Sequence, residues 1–103
     1  MTLDELSNRL ESLNIPVFYS HTNSKVKAPY LVYYELFAEN FKADNKVYKK
    51  FTRVQIELYT SKKDKALENR LETLLDDNLI TYDPDYLYLE GEKVFQVIYE
   101  IKI

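Results

Sequence analysis

The chain has 103 residues, 46% of them hydrophobic and 30% charged, with a net charge of −3. That length predicts one domain with a modest core and little room for a deep enclosed pocket. Cysteine is absent, which excludes disulfides, thiolate metal sites and cysteine nucleophiles, and the single glycine excludes a glycine-rich phosphate loop. The acidic balance argues against tight general binding to nucleic acid, because that affinity comes mainly from Lys and Arg releasing phosphate counterions. No apolar run approaches the ~20 residues of a membrane helix. The N-terminal run MTLDELSNRL is acidic and amphipathic, unlike a signal peptide, so synthesis in the cytoplasm is the expectation.

The first predicted element is a helix of about three turns. Thr2-Leu3-Asp4-Glu5 has the form of a capping box, and Leu3, Leu6, Leu10 and Leu13 make one apolar stripe. Pro16 stops it. Val17 to Ser20 reads as a short strand, and His21 to Lys27 as a polar loop. Pro29 opens a strong strand from Tyr30 to Phe37. The polar stretch Ala38 to Asn45 ends that strand, and a long one follows from about Val47 to Tyr59.

Within it, Val54, Ile56 and Leu58 fall on one face, and Arg53, Gln55, Glu57 and Tyr59 on the other. Ser61 and Asp64 form an S-x-x-D start for a second helix, from about Lys62 to Asp77. Leu67, Leu71, Leu74 and Leu75 supply its apolar stripe. Asp76 and Asp77 sit badly against the dipole at its end. Leu79 to Tyr82 and Tyr86 to Leu89 read as short strands separated by an Asp83-Pro84-Asp85 turn. Glu90-Gly91-Glu92 is a second turn, and Val94 to Ile103 is the last strand.

The predicted order is therefore α-β-β-β-α-β-β-β. The short turns favour antiparallel pairing, so the expected class is α+β. It has two layers, a mainly antiparallel sheet with two helices on one face.

Two short helices cover only one face of such a sheet. Yet the strand from Tyr30 to Phe37 is apolar on both sides, with Leu31, Tyr33 and Phe37 on one and Tyr30, Val32, Tyr34 and Leu36 on the other. The last strand repeats this, with Val94 and Ile98 opposite Phe95, Val97, Tyr99, Ile101 and Ile103. An uncovered face bearing Tyr and branched aliphatics predicts a partner surface. Tyr30, Tyr33 and Tyr34 are its candidate contacts. A second candidate is the loop AENFKADNK, where Phe41 stands among Asn40, Lys42, Asp44 and Asn45 as an aromatic anchor in a polar rim.

Signals for chemistry are weak. His21 is the only histidine and lies in a polar loop. The carboxylate pairs Asp76/Asp77, Asp83/Asp85 and Glu90/Glu92 all flank turns or helix ends, which explains them as solubility and turn residues. No serine has a G-x-S-x-G context. No catalytic, metal or cofactor residue is assigned, and no cofactor is expected. Tyr30, Tyr33, Tyr34, Phe51 and Tyr59 raise the alternative of a base-stacking platform for RNA. The chain has no RRM-type aromatic segment, and its net charge has the wrong sign for that reading.

MTLDELSNRLESLNIPVFYSH, APYLVYYELF, ADNKVYKK, RVQIELYTSKKDKALENRLETLL and KVFQVIYEIKI together span nearly the whole chain. This combination resembles tail terminator, or tail completion, proteins from the head-to-tail gene region of long-tailed phages and prophages of Gram-positive bacteria. The resemblance implies a non-catalytic virion protein at the head-proximal end of the tail. It implies a hexameric ring that ends tail-tube polymerisation and joins tail to head. The implied partners are further copies of the chain, the tail-tube protein and a head-tail connector or stopper protein. DNA passes through without specific binding, and no membrane is involved. The alternatives are another connector or stopper component, or a small non-catalytic protein- or RNA-binding module.

Overall fold

The computed structural model describes residues 1–22, 26–36 and 51–103. Along the chain stand α1 (Leu3–Glu11), β1 (Val17–Tyr19), β2 (Tyr30–Glu35), β3 (Arg53–Thr60), α2 (Lys65–Asp77), β4 (Tyr82–Leu89) and β5 (Val94–Lys102). The five strands form one sheet in the order β1-β2-β3-β5-β4. Only the β1–β2 pair is parallel, and the other three are antiparallel. The α+β class with two helices and a mainly antiparallel sheet is as expected, and among the described residues one strand, β4, stands where two short ones were expected.

Local chemistry accounts for both helix starts. Thr2 caps α1, its Oγ1 accepting from the Glu5 amide at 3.1 Å. At α2 the cap is Asp64, whose Oδ1 accepts from the Leu67 amide at 3.0 Å. The helix therefore begins at Lys65, three residues after the expected start, and Ser61 lies outside it. An aspartate cap adds a negative charge beside the positive helix end, which favours it over an upstream serine.

The end of α2 is closed by the backbone. Ile80 N–H donates to Leu75 O at 2.9 Å, and Leu79 N–H to Asp76 O at 3.0 Å. These two bonds are a Schellman motif, which places Leu79 in the left-handed region at φ 57. Asn78 adds a third closure, its Nδ2 donating to Leu74 O at 2.7 Å. Ile80 then turns into the core while Leu79 stays 92% exposed.

Helix α1 contributes Leu6 and Leu10, with Leu13 just beyond its end, and α2 contributes Leu67, Leu71 and Leu75. They pack on one sheet face built from Leu31, Tyr33, Val54, Ile56, Leu58, Val97, Tyr99 and Ile101. Strand β3 alternates strictly between half-buried and buried along its eight residues, as a strand with one dry face must. Arg70 Nη2 donates to Leu13 O at 3.0 Å and ties α2 to the end of α1. Tyr99 reaches through the core, its hydroxyl donating to Glu72 Oε2 of α2 at 3.1 Å. Glu68 is 1% exposed, and Lys63 Nζ stands 3.1 Å from its Oε1 and 2.9 Å from its Oε2, so the buried carboxylate has a cation.

The expected Asp83-Pro84-Asp85 turn is instead the middle of β4, a continuous strand pairing with β5 from Tyr82↔Ile101 to Leu89↔Val94. Proline removes a ladder donor, so it is tolerated in a strand only at an edge, and β4 is an edge. The chain does turn after Leu89, as the Glu90-Gly91-Glu92 signal indicates. There Glu92 N–H donates to Leu89 O at 3.2 Å, and the positive φ of 54 falls on Lys93 rather than on the glycine.

Leu79 offers a direct check of the α2 closure. Its side chain contributes almost no burial, while a β-carbon in the left-handed region costs about 1 kcal/mol. Leu79→Gly should raise unfolding stability by up to roughly 0.5 kcal/mol, after allowance for the extra freedom glycine gives the unfolded chain. Urea unfolding midpoints measure this. A lower midpoint would show that the exposed leucine holds a contact that offsets its strain.

Candidate protein-interaction surface

The strand registers fix what the helix-free face of the sheet carries. Across its centre runs the row Phe18, Val32, Glu57, Ile98 and Asp85. On one side lies the row Tyr30, Tyr59, Gln96 and Leu87, and on the other Tyr34, Gln55, Glu100 and Asp83. Glu57 therefore stands at the middle of the face.

Neutral donors saturate that carboxylate. Tyr59 Oη donates to Glu57 Oε1 at 2.6 Å. Tyr34 Oη donates to Oε2 at 3.0 Å, and Gln55 Nε2 to the same oxygen at 2.7 Å. Gln55 Nε2 also donates to Tyr34 Oη at 2.6 Å, and Gln96 Nε2 to Tyr59 Oη at 2.8 Å. The face is thus polar from its centre toward Gln55, Glu100, Asp83 and Asp85, with an aromatic rim of Phe18, Tyr30 and Tyr34 on the β1–β2 side. Glu57 acts on its neighbours by fixing the orientation of two tyrosine rings. Ionised carboxylate acceptors make the stronger class of hydrogen bond, which suits that task.

The aromatic rim is ordered by contacts of its own. Tyr30 and Tyr59 stack at 4.7 Å between ring centroids with 16° between planes, and Phe18 meets Tyr30 edge-on at 6.3 Å. Arg53 pairs with Glu100 at the far end of the face, where both are exposed. Burial pushes the Tyr59 hydroxyl well above the ordinary tyrosine range, and the Glu57 carboxylate adds to this. Tyr34 is raised for the same two reasons, while Tyr30 is raised by burial first and then by Glu92 and Glu57. All three rings stay neutral donors at physiological pH.

The candidate residues now separate. Tyr30 and Tyr34 stand on the open face, half-buried. Tyr33 does not join them: it is 7% exposed on the helix side, within the core, and packs edge-on against Tyr19 at 5.1 Å. Strand alternation dictates this, since neighbouring residues point to opposite faces. Asn40, Phe41, Lys42, Asp44 and Asn45 lie outside the described residues. Sequence reasoning placed Gln55, Glu57 and Tyr59 on one strand face but did not foresee the network. Its signal was a polar set alternating with Val54, Ile56 and Leu58 opposite a tyrosine-rich strand.

Other surfaces offer less. Between the exposed sides of the helices lies an open groove of about 490 Å³ lined by residues including Arg9, Arg70, Thr73 and Asp77. Among the described residues no group of three or more His, Asp or Glu side chains is placed to hold a metal ion. Among them, too, no helix is long and apolar enough to cross a membrane. No protein-family model matches the chain, and no curated protein matches it.

Glu57 is open to test through its tyrosines. Where a phenol is raised in the folded state, the unfolded state loses its proton first as pH rises. The stability this gives is complete below about pH 10 and declines above it. Glu57→Gln removes the charge and should move the Tyr34 and Tyr59 ionisations down toward the ordinary range, with burial holding them partly up. Ultraviolet difference titration of tyrosinate reads both. Unchanged titration curves in the variant would show that Glu57 does not govern these rings.

Proposed function

We propose that this chain is a structural, non-catalytic virion protein of a long-tailed phage or prophage. In this reading it is a tail terminator, forming a ring that ends tail-tube polymerisation and joins the tail to the head. The observation that carries the reading is the sheet face that no helix among the described residues covers, with Phe18, Tyr30, Tyr34 and Ile98 upon it. The resemblance across nearly the whole chain supplies the identity of the assembly. A face of apolar rim and pre-ordered tyrosines suits contact between proteins, because tyrosine packs its ring and keeps a polar tip. Glu57 at its centre suits nucleic acid less well, since a carboxylate repels phosphate. The tail-tube protein and a head-tail connector are the further partners. DNA crosses the ring during ejection without being held, which the acidic balance favours.

Two tyrosines adjacent in sequence provide the test. Tyr33→Glu buries a charge in the core and should unfold the protein. Tyr34→Arg puts a cation on the open face beside Glu57. It should leave helix content intact while lowering assembly of the ring, measured as mass in solution with and without tail-tube protein. Phe41→Ala should give a folded protein that docks poorly. Truncating a buried interface aromatic costs about 2 kcal/mol or more, roughly thirtyfold in affinity. In phage complementation the expected result for both folded variants is overlong tubes and tailless heads. Normal particles from a deletion of the whole gene would reject the terminator role.

A further inference from the structure

Among the described residues no strand pairs with the outer edge of β4, and the chemistry of that edge selects the kind of strand it would accept. Hydrogen bonding alternates along each strand of an antiparallel ladder. Ile103 and Thr52 exchange N–H···O bonds at 2.9 Å in both directions, so the odd-numbered residues of β5 face β3. Its even-numbered residues, Gln96, Ile98 and Glu100, therefore face β4, where they oppose Leu87, Asp85 and Asp83. It follows that Tyr82, Pro84, Tyr86 and Tyr88 turn their backbone groups outward. Pro84 has no N–H to offer, and it falls on this outward set, where the ladder loses nothing. Three amides and four carbonyls are left along an eight-residue edge.

Side chains beside this edge are unlike on its two sides. On the helix side Tyr86 and Tyr88 are 47% and 50% exposed, with Lys63 Nζ 4.4 Å from the Tyr86 ring centroid and Lys65 Nζ at 5.7 Å. On the open side stand Asp83 and Asp85, both exposed, followed by Leu87. From Asp76 to Glu92 the chain carries six carboxylates and no Lys or Arg.

We infer that the β4 edge is a strand-addition site for an extended basic segment of a partner protein. In that segment basic and apolar residues alternate. Its basic side chains meet Asp83 and Asp85, and its apolar ones lie on Tyr86 and Tyr88, where Lys63 and Lys65 would repel a cation. Charge also disfavours one register of the simplest other occupant. A two-fold pairing of β4 with itself that matches Tyr82 to Tyr88 sets Asp85 against its own counterpart, and like charges directly opposite are destabilising. Backbone bonds supply affinity in this mode of recognition, and alternate side chains supply the choice of partner. The inference does not depend on the terminator reading, which concerns the open sheet face.

The probe is a short end-blocked peptide of alternating valine and lysine, titrated into the isotope-labelled full chain. Amide signals of Tyr82, Tyr86 and Tyr88 should shift, and exchange of the Tyr86 and Tyr88 amides with solvent should slow. Replacing the peptide's lysines by glutamates should weaken binding about tenfold or more. Asp83→Lys with Asp85→Lys should reverse that preference. Methylating the peptide nitrogens that face β4 should abolish binding. The inference is overturned by an absence of binding, by equal binding of the glutamate or methylated peptide, or by shifts centred on Glu57 or the helices. It is overturned equally if the protein alone forms a dimer that protects the same amides.

Discussion

Among the described residues, two helices against five strands is the constraint on which the structure turns. The leucine stripes of α1 and α2 make a single layer, so only one side of the sheet is kept dry by helices. Each buried leucine contributes about 1.5–3 kcal/mol relative to exposure, so the stripes supply much of the stabilisation available to a small chain. Every central strand must then be two-sided. Its helix-facing residues are mainly Val, Ile and Leu with Tyr33 and Tyr99, and its other face must stay ordered with no helix of the described residues over it. Glu57 answers that second demand. A carboxylate with three donors, two of them tyrosine hydroxyls, holds rings that would otherwise rotate on an open surface.

The same shortage of cover shapes the edges. At one end β1 has three residues and pairs in parallel with β2, too short to template another chain. At the other, β4 has eight residues and exposes half its backbone polar groups. Pro84 and the aspartates make pairing there more selective, since they delete one donor and disfavour the self-pairing registers that set aspartates opposite one another. An edge so guarded stays open to strands of opposite charge.

What could be read from the chain alone divides along physical lines. The capping of α1, the β3-to-α2 transition and the alternation of β2 and β5 are local patterns, and the structure keeps them. The start of α2 shifted to Asp64 because two plausible caps lie three residues apart and only the stronger one is used. The β4 strand was obscured because Pro flanked by Asp is a strong turn signal. Only the sheet order shows that Pro84 sits where a missing N–H does no harm. The Glu57 network was hidden for another reason. Gln55, Glu57 and Tyr59 share a strand face by simple alternation, but Tyr34 and Gln96 reach them only through the registers of two neighbouring strands. Alternation separates Tyr33 from Tyr30 and Tyr34, but only the packed helices show that the face of Tyr33 is the covered one. One of two sequential tyrosines has to enter the core.

The network also limits what covering the open face would entail. A partner laid over Phe18, Tyr30 and Tyr34 would remove water from around Glu57 as well. Stripping water from an ion is costly unless its lone pairs are engaged. Here Tyr34, Gln55 and Tyr59 engage them already, and Gln96 backs Tyr59 in turn. The partner need not supply a cation or donors at that point. It need only pack against Phe18, Tyr30 and the rings of Tyr34 and Tyr59, whose hydroxyls are directed inward to Glu57. A surface of this kind is soluble while uncovered and tolerant of burial when covered.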